Sequence, residues 1–309
     1  MAKDYYFQPD APDPIIPSEQ VLQYVHQHAP KAKAVTGVDE TGGEARTYAI
    51  DDDLIFKTQR PQQLRPRTSL KKEVIFLKHL EGVEGLNVPH VIGYGHPEPM
   101  IEYTLMTRMP GVAFRNVKLD GEPRREALKT LGRMLRRVHS VNQTPLRESG
   151  LFFGDQSPVD VHWRMGNVFD DVTEMIKNKG IVWPYPQAPE MIGRRVMATL
   201  PEVQEIVALH SNPGPEHTFV DPVTGKLTGI IDFGDAYFSH PVNDLRRYRA
   251  SEDRQAVISG YLEDGPVSDD FMVTWRVGCI LSDIMAIAFS PEHQQAATAE
   301  LDQFLDEIG

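Results

Sequence analysis

The first third of the chain alternates short apolar runs with turn-forming residues, a pattern typical of a small antiparallel sheet. Before the sheet, residues 18–28 have apolar side chains at helical spacing and predict a helix with Ser18 as its N-cap. Residues 35–50 then predict two strands joined by a glycine turn, and residues 54–57 predict a third strand. We therefore expect one helix followed by a three-stranded antiparallel unit.

A second amphipathic segment begins at Ser69 and predicts a helix of about three turns. Residues 88–99 and 101–109 predict two more strands, joined by a turn rich in glycine and proline. A Pro-Gly pair follows, where the strand patterns stop. We place the boundary between two lobes there, with an N-terminal lobe of residues 1–109 and a C-terminal lobe of residues 110–309.

The remainder of the chain is mainly helical in pattern. Spacings of three, four and three predict one long helix, on which Leu128, Leu131, Leu135 and Val138 share a face. Further helical patterns lie around Met175, from Pro189 to Val207 and from Asp244 to Ile308. Residues 218–232 interrupt them with two short apolar runs around a turn whose glycine suits a positive φ, which predicts a β-hairpin. The fold class predicted is α+β.

Composition limits the partners that such a protein binds. The 309 residues include 44 acids and 32 bases, for a formal net charge of -12. This balance argues against nucleic acid or an anionic membrane as a partner, and it suits a small cationic molecule. The simpler interpretation is that the charge only keeps the protein soluble.

Cysteine usage and hydropathy indicate a cytoplasmic protein. Cys279 is the single cysteine, so the chain forms no internal disulfide and has no C-x-x-C pair for a metal or for redox chemistry. The longest apolar stretch, residues 278–289, is short and contains Asp283. It therefore predicts a buried helix and no membrane span.

Two features of the N-terminal lobe suit a nucleotide. Lys57 lies on the third predicted strand and Glu73 on the next helix, so that an ion pair can hold the lysine toward phosphates. Gly42 and Gly43 lie between the first two strands, where backbone N–H groups can cover phosphates. A surface ion pair and a simple Gly-Gly hairpin turn explain the same residues, so neither feature is specific alone.

The predicted hairpin and the segment before it carry the more specific signal. Asp232 ends an apolar strand and is followed by Phe233-Gly234, an arrangement suited to binding the magnesium ion that bridges two phosphates of a nucleotide. Immediately before the hairpin, residues 209–217 read LHSNPGPEH. The D-F-G triplet alone occurs by chance in many proteins, and the strand before it and the motif upstream make the signal much stronger.

These motifs, LHSNPGPEHTFVD and then TGIIDFGDA, resemble the catalytic segment of the aminoglycoside phosphotransferase family and its choline-kinase relatives. The family pattern is H-G-D-x-x-x-x-N, then a hairpin, then I-D-[FW]. The resemblance spans about residues 35 to 262 and implies a protein-kinase-like fold that uses ATP or GTP with Mg²⁺. It further implies that Lys57, held by Glu73, contacts phosphates, that Asp232 ligates magnesium, and that Met106 to Met109 form the nucleotide hinge.

The resemblance also assigns roles in the loop, where two positions depart from the pattern. His210 is implied to brace the loop and Asp244 to support it, but Asn212 stands at the catalytic aspartate and His217 at the second metal-binding asparagine. Asn212 can orient a hydroxyl but cannot accept its proton. His217 remains a candidate metal ligand, although magnesium prefers oxygen. Glu216 is the nearest carboxylate in sequence, and we expect it to point elsewhere.

The function expected is transfer of a γ-phosphate to a hydroxyl of a small cationic molecule such as an aminoglycoside, with Asp235 at the substrate site, by a monomer or homodimer. The rival hypothesis is a pseudokinase that binds nucleotide without turnover. Three explanations of Asn212 are compatible with the sequence: a divergent enzyme with weak or altered activity, a catalytically dead nucleotide-binding protein, and an engineered Asp-to-Asn change.

Overall fold

The computed structural model describes residues 13, 15–40, 42, 44–60, 69–98, 101–202 and 205–308, with only the backbone of Ser69. The chain forms two compact units. The first unit comprises Met1–Gly111, Thr144–Phe152 and Thr228–Ala236, and the second comprises Val112–Gln143, Phe153–Leu227 and Tyr237–Gly309. The first unit thus includes two later segments that lie outside the predicted lobe of residues 1–109.

Strands and helices are numbered here in chain order. The strands are β1 (Val35–Asp39), β2 (Ala45–Ile50), β3 (Leu54–Gln59), β4 (Val91–Glu98), β5 (Ile101–Thr107), β6 (Val112–Ala113), β7 (Val207–Leu209), β8 (Thr218–Val220), β9 (Leu227–Ile230) and β10 (Tyr237–Ser239). The helices are α1 (Ser18–His26), α2 (Ser69–Leu80), α3 (Gly121–Ser140), α4 (Thr144–Glu148), α5 (Pro158–Asn178), α6 (Pro189–Met197), α7 (Val242–Leu245), α8 (Ser251–Glu263), α9 (Asp269–Phe289) and α10 (Gln294–Ile308). This α+β composition confirms the predicted fold class.

The first unit is built on an antiparallel sheet with the strand order β1-β2-β3-β5-β4. Lys57 on β3 lies opposite Thr47 on β2 and Thr104 on β5, so it belongs to a central strand. Burial alternates along β2, as expected of a strand with one covered face. The predicted strands of this unit are confirmed.

Aromatic packing holds α1 against this sheet. The ring of Tyr24 on α1 lies 5.4 Å from that of Tyr103, which in turn stacks 4.7 Å from Phe56. Each fully buried side chain of this size contributes about 1.5–3 kcal/mol to stability. The predicted N-cap of this helix is wrong, because Pro17 occupies that position and Ser18 is already helical. Proline's fixed φ lets the chain enter the helix without a side-chain cap.

In the second unit, α3 and α8 approach one another to backbone contact. A Cβ added to Gly132 on α3 would lie 2.0 Å from the carbonyl oxygen of Val257, and one added to Gly260 on α8 would lie 1.9 Å from that of Lys129. Only residues without a side chain fit at these two crossings. The long helix predicted from its leucine spacing therefore packs through two glycines that the apolar pattern did not indicate.

The apolar core of the second unit joins α5, α6, α9 and α10. By length and composition α9 is the one helix among the described residues that could cross a membrane, but 72% of its apolar window is buried inside the structure. Asp283 in this helix pairs with Arg254 of α8, and both side chains are 1% exposed. These features make α9 a core helix, as its sequence predicted.

Two three-residue strands were not predicted. The helical pattern from Pro189 to Val207 was wrong beyond Met197, where α6 ends, because Val207 begins β7. This strand pairs antiparallel with β10, which the sequence reading also missed. All three residues of β7 are buried, so the segment shows no alternation, and a run this short cannot be assigned by periodicity.

The turn after β8 has the predicted chemistry. The Asp221 side chain accepts hydrogen bonds from the backbone N–H groups of Val223 and Thr224, at 2.9 and 2.7 Å. Gly225 follows with a φ of 70°, in the left-handed region that favours glycine. The turn leads the chain into β9 and toward Asp232.

Candidate active site

Lys57 lies at the centre of a three-residue charge cluster in the first unit. Its Nζ is 3.0 Å from Oε2 of Glu73 on α2 and 2.6 Å from Oδ1 of Asp232, just after β9. Burial alone would lower the pKa of Lys57, but the charges of Asp232 and Glu73 outweigh it and raise that pKa above its usual value. Lys57 therefore stays an ammonium ion at any physiological pH.

Helix α2 positions the segment that carries Asp232. The buried Glu73 uses its second oxygen, Oε1, to accept a hydrogen bond from the backbone N–H of Phe233 at 3.2 Å. One turn later, the ring of Phe76 meets that of Phe233 edge to face at 5.2 Å and that of Phe152 at 5.6 Å. The glutamate thus binds both the lysine and the backbone next to the aspartate.

Asp232 has an uncommon backbone conformation, with a φ of 72°. Such conformations cost about 1–3 kcal/mol for a residue with a side chain and cluster at functional sites. The strand before it is anchored, since Ile230 N–H donates to the carbonyl of Asn87 at 3.2 Å. The side chain of Asp232 is 37% exposed, so its carboxylate is accessible to a ligand.

The predicted nucleotide hinge contacts the strand that leads to Asp232. Met106 on β5 and Met109 just after it are both buried. A Cβ on Gly229 of β9 would lie 2.4 Å from the Sδ of Met109, so the methionine packs directly on the strand backbone. Gly42 is exposed in the connection after β1, as predicted, whereas Gly43 lies outside the described residues.

In the second unit, the predicted catalytic loop is tethered to the buried Asp244. Its Oδ2 accepts from the backbone N–H of His210 at 2.7 Å, and its Oδ1 accepts from that of Ser211 at 2.8 Å. His139 on α3 donates from Nε2 to Oδ2 at 3.0 Å. Burial works against ionisation, but the His139 hydrogen bond and charge hold the pKa of Asp244 below its usual value. Asp244 thus supports the loop by direct hydrogen bonds.

Ser211 occupies a position where the H-G-D pattern has glycine, and sequence reasoning overlooked it. Its φ is 85°, in the left-handed region where a Cβ is unfavourable. Besides the bond from its N–H to Asp244, its carbonyl accepts a hydrogen bond from the guanidinium of Arg247. These two contacts hold the loop in a conformation that a glycine would adopt without strain.

Asn212 and His217 close the loop on itself. The backbone N–H of Asn212 donates to Nδ1 of His210 at 3.3 Å, and Nδ1 of His217 lies 2.8 Å from the carbonyl oxygen of Asn212. Because a carbonyl only accepts, Nδ1 of His217 carries the proton. The histidine therefore braces the loop through its Nδ1.

A cavity of about 670 Å³ opens beside this loop, within the second unit. Its lining includes Asn212, Gly214 and Glu216 from the loop and Asp120, Arg124 and Arg125 from the start of α3. The expectation that Glu216 points elsewhere was wrong, because it faces the same cavity as Asn212. Asp235, predicted at the substrate site, is half-buried and is not one of the lining residues.

The charges that line the cavity differ in what they already bind. Its arginines are engaged: Arg124 makes a two-pronged contact with Asp253 at 2.7 and 2.5 Å, and Arg247 and Arg249 bond to Ser211 and Ser290. The carboxylates of Asp120, Glu216 and Glu252 make no hydrogen bond or ion pair with the described part of the chain. The cavity therefore offers three unpaired carboxylates to a ligand, whereas the charge of Arg124 is already paired with Asp253.

Comparison with known proteins agrees with this geometry. Residues 38–266 match the sequence profile of the phosphotransferase enzyme family. Among solved structures, the GDP and kanamycin complex of APH(2")-IIia is 16% identical, covers 93% of this chain and 97% of its own, and has a TM-score of 0.59.

Two other solved structures are similar over comparable lengths. The GDP complex of aminoglycoside 2'-phosphotransferase-IIIa is 14% identical over 93% of this chain and 98% of its own, with a TM-score of 0.62. Macrolide 2'-phosphotransferase MphH from Brachybacterium faecium is 18% identical over 92% and 97%, with a TM-score of 0.57. At these identities the likeness shows a shared kinase-like fold.

Proposed function

Because the chain belongs to the phosphotransferase enzyme family, we propose that it transfers the γ-phosphate of ATP or GTP to a hydroxyl of a small cationic molecule. Aminoglycosides are the first acceptors to test, since kanamycin is bound in one structural neighbour. Macrolides come second, because another neighbour is a macrolide 2'-phosphotransferase.

The cluster of Lys57, Glu73 and Asp232 is the observation that carries this proposal. An ammonium ion held between two carboxylates, one of them partly exposed, is arranged to exchange a protein partner for a phosphate oxygen. Glu73 stays in place because Phe233 N–H also binds it. Lys57 thus neutralises phosphate charge while Glu73 fixes its direction.

The residues at this cluster also fit magnesium. Carboxylate oxygen is the ligand that magnesium prefers, and the ion is commonly held by one or two carboxylates together with nucleotide phosphates. Among the described residues, no group of three His, Cys, Asp or Glu side chains is placed to hold a metal ion. We assign magnesium to Asp232, where the bound ion would neutralise phosphate charge. His217 could add only its Nε2, because Nδ1 carries the proton, and magnesium prefers oxygen to nitrogen.

We assign the acceptor molecule to the cavity beside Asn212. The unpaired carboxylates of Asp120, Glu216 and Glu252 can bind the amines of a cationic acceptor, and the charge of Arg124 is already paired with Asp253. The side chain of Asn212 faces this space and can hold an acceptor hydroxyl through its amide. Asp235 remains a candidate for substrate recognition outside this cavity.

Asn212 is also the one observation that favours the rival function, a pseudokinase. General base assistance is worth about 10² to 10⁴ in rate, so its loss slows transfer without removing the contribution of charge and positioning. Nucleotide binding is common to both functions, and transfer to an acceptor belongs only to the enzyme.

Calorimetric titration with ATP and GTP, with and without Mg²⁺, separates these functions when combined with product detection by mass spectrometry. We expect magnesium-dependent binding that is lost in Asp232→Asn, together with phosphorylated kanamycin from the unaltered protein. Binding without any phosphorylated acceptor supports the pseudokinase, and absence of nucleotide binding contradicts both.

A further inference from the structure

The Oε2 atom of Glu216 and the Oδ1 atom of Asn212 both lie close to Gly214 in the catalytic loop. A Cβ built on Gly214 would lie 2.8 Å from Oε2 of Glu216 and 3.4 Å from Oδ1 of Asn212. The two oxygens are therefore no further apart than those two distances together. A hydroxyl in this space can donate its single proton to Oε2 of Glu216, and its oxygen can accept a hydrogen bond from the Nδ2–H group of Asn212.

We propose that Glu216 accepts the proton of the acceptor hydroxyl, in place of the aspartate that the chain lacks at position 212. The proposal rests on the phosphotransferase function proposed above. The reaction needs a proton acceptor within about 2.6–3.2 Å of the hydroxyl, and the Asn212 amide cannot serve. Asn212 orients the hydroxyl, and Glu216 takes the proton.

The bonds and charges of this step balance without a further reactant. The acceptor oxygen forms a bond to the γ-phosphorus of the nucleoside triphosphate, and the bond from that phosphorus to the β–γ bridging oxygen breaks. The nucleoside diphosphate leaves with the bonding electron pair. The hydroxyl proton moves to Oε2 of Glu216, which returns it to water after the products leave.

Two nearby carboxylates are already hydrogen-bonded, and the other two that line the cavity, Asp120 and Glu252, lie outside the catalytic loop. Asp253 is bound by Arg124 through both of its oxygens, and Asp244 is buried with both oxygens accepting hydrogen bonds from the loop. Glu216 is exposed to the cavity and makes no hydrogen bond or ion pair with the described residues. It is therefore the loop carboxylate that remains able to bind a substrate hydroxyl.

Gly214 provides a way to move this carboxylate without removing it. Gly214 does not have a positive φ, so its backbone accepts alanine. The added methyl group would approach the end of the flexible Glu216 side chain, which can turn aside at little cost in stability. Gly214→Ala therefore displaces the proposed proton acceptor and leaves its charge in the cavity.

The test measures kcat and KM for MgATP with kanamycin and with water as acceptors. Glu216→Gln is made in the unaltered protein and in the Asn212→Asp background, with Glu174→Gln on the surface of α5 as control. We expect Glu216→Gln to lower kcat by about 10² to 10⁴ in the unaltered protein and by less than about threefold in the Asn212→Asp background. Gly214→Ala should lower kcat in the same direction, and the calorimetric Kd for MgATP should not change.

The possible results distinguish a failure of the proposed Glu216 role from a failure of the phosphotransferase function. Equal losses in both backgrounds, or a kcat that Glu216→Gln leaves unchanged, overturn the role of Glu216 and leave the phosphotransferase function standing. Activity seen only after Asn212→Asp overturns it as well, because Glu216 then fails to serve as base. Absence of turnover in both backgrounds rejects the phosphotransferase function, and the Glu216 proposal with it.

Discussion

The Nζ atom of Lys57 lies 2.6 Å from Oδ1 of Asp232, although the two residues are 175 positions apart in the chain. The contact joins a central strand of the first unit to the segment that returns to that unit late in the sequence. Glu73 lies on the other side of the lysine at 3.0 Å. This arrangement is the basis for the nucleotide site that we propose.

Replacing Lys57 tests the cluster for both stability and binding. Lys57→Met leaves Glu73 buried without its cation, which should lower the free energy of unfolding by about 3–5 kcal/mol. The same change should abolish calorimetric binding of MgATP. Lys71→Met, at an exposed position on α2, is the matched control and should alter neither quantity. Undiminished nucleotide binding by Lys57→Met would contradict the proposed site.

Two helical glycines should respond to alanine in opposite directions. Gly132→Ala puts a methyl group against the carbonyl of Val257 in the α3–α8 contact and should lower the free energy of unfolding by about 2 kcal/mol or more. On α5, a Cβ on Gly166 meets only the methyl end of Met197 at 4.0 Å. Gly166→Ala should therefore stabilise the protein by about 0.5–1 kcal/mol. Urea denaturation of the two variants checks both, and equal effects would refute the close helix contact.

Replacing Ser211 by glycine, the residue that the family pattern has at this position, should stabilise the protein. The φ of Ser211, 85°, costs a residue with a Cβ about 1–2 kcal/mol. Glycine avoids this steric cost, but it loses more conformational entropy on folding, which offsets part of the gain. We expect Ser211→Gly to raise the free energy of unfolding by about 1 kcal/mol. Ser211→Ala keeps the Cβ and should give no gain. A gain in the alanine variant would show that the hydroxyl, and not the backbone, is the source of strain.

His240 should make stability depend on pH in the acidic range. It is buried, and its Nδ1 accepts a hydrogen bond from Val242 N–H at 3.3 Å, which requires a neutral ring. Burial, assisted by the charge of His139, lowers the pKa of His240 from 6.5 to about 3. The unfolded chain then binds more protons between these values, so stability contributed by neutral His240 is present above pH 6.5 and is lost as the pH falls toward 3.

The measurement is urea unfolding at pH 7 and pH 5 for the unaltered protein and for His240→Asn, whose side-chain oxygen can still accept from Val242. We expect the drop in free energy of unfolding between the two pH values to be smaller in the variant by about 2 kcal/mol. An identical drop in both proteins would mean that His240 does not titrate in this way.

Local sequence patterns were enough to predict the helices and strands whose apolar residues recur at a clear period. The alternation in β2 and the apolar spacing in α3 predicted these elements, and the pair of Lys57 and Glu73 followed from their places on β3 and α2. The D-F-G triplet at Asp232 was recognised from a motif, and its ion pair with Lys57 agrees with the role that the motif implies.

Features set by tertiary contacts were not predictable in this way. β7 and β10 are each three residues long and become strands only by pairing with one another. The direction of the Glu216 side chain depends on the open space at Gly214, which no local pattern reports. The tether of the loop to His139 through Asp244 joins positions 105 residues apart. Ser211 had a local signal, the missing glycine of the H-G-D pattern, that was overlooked.

The most direct test of the account is transfer of labelled γ-phosphate from MgATP or MgGTP to a panel of aminoglycosides, macrolides and amino alcohols. The account predicts that the unaltered protein phosphorylates at least one cationic acceptor, that Asp232→Asn abolishes this transfer, and that Asn212→Asp retains or increases it. Nucleotide binding without transfer to any acceptor, in both the unaltered protein and Asn212→Asp, would contradict it.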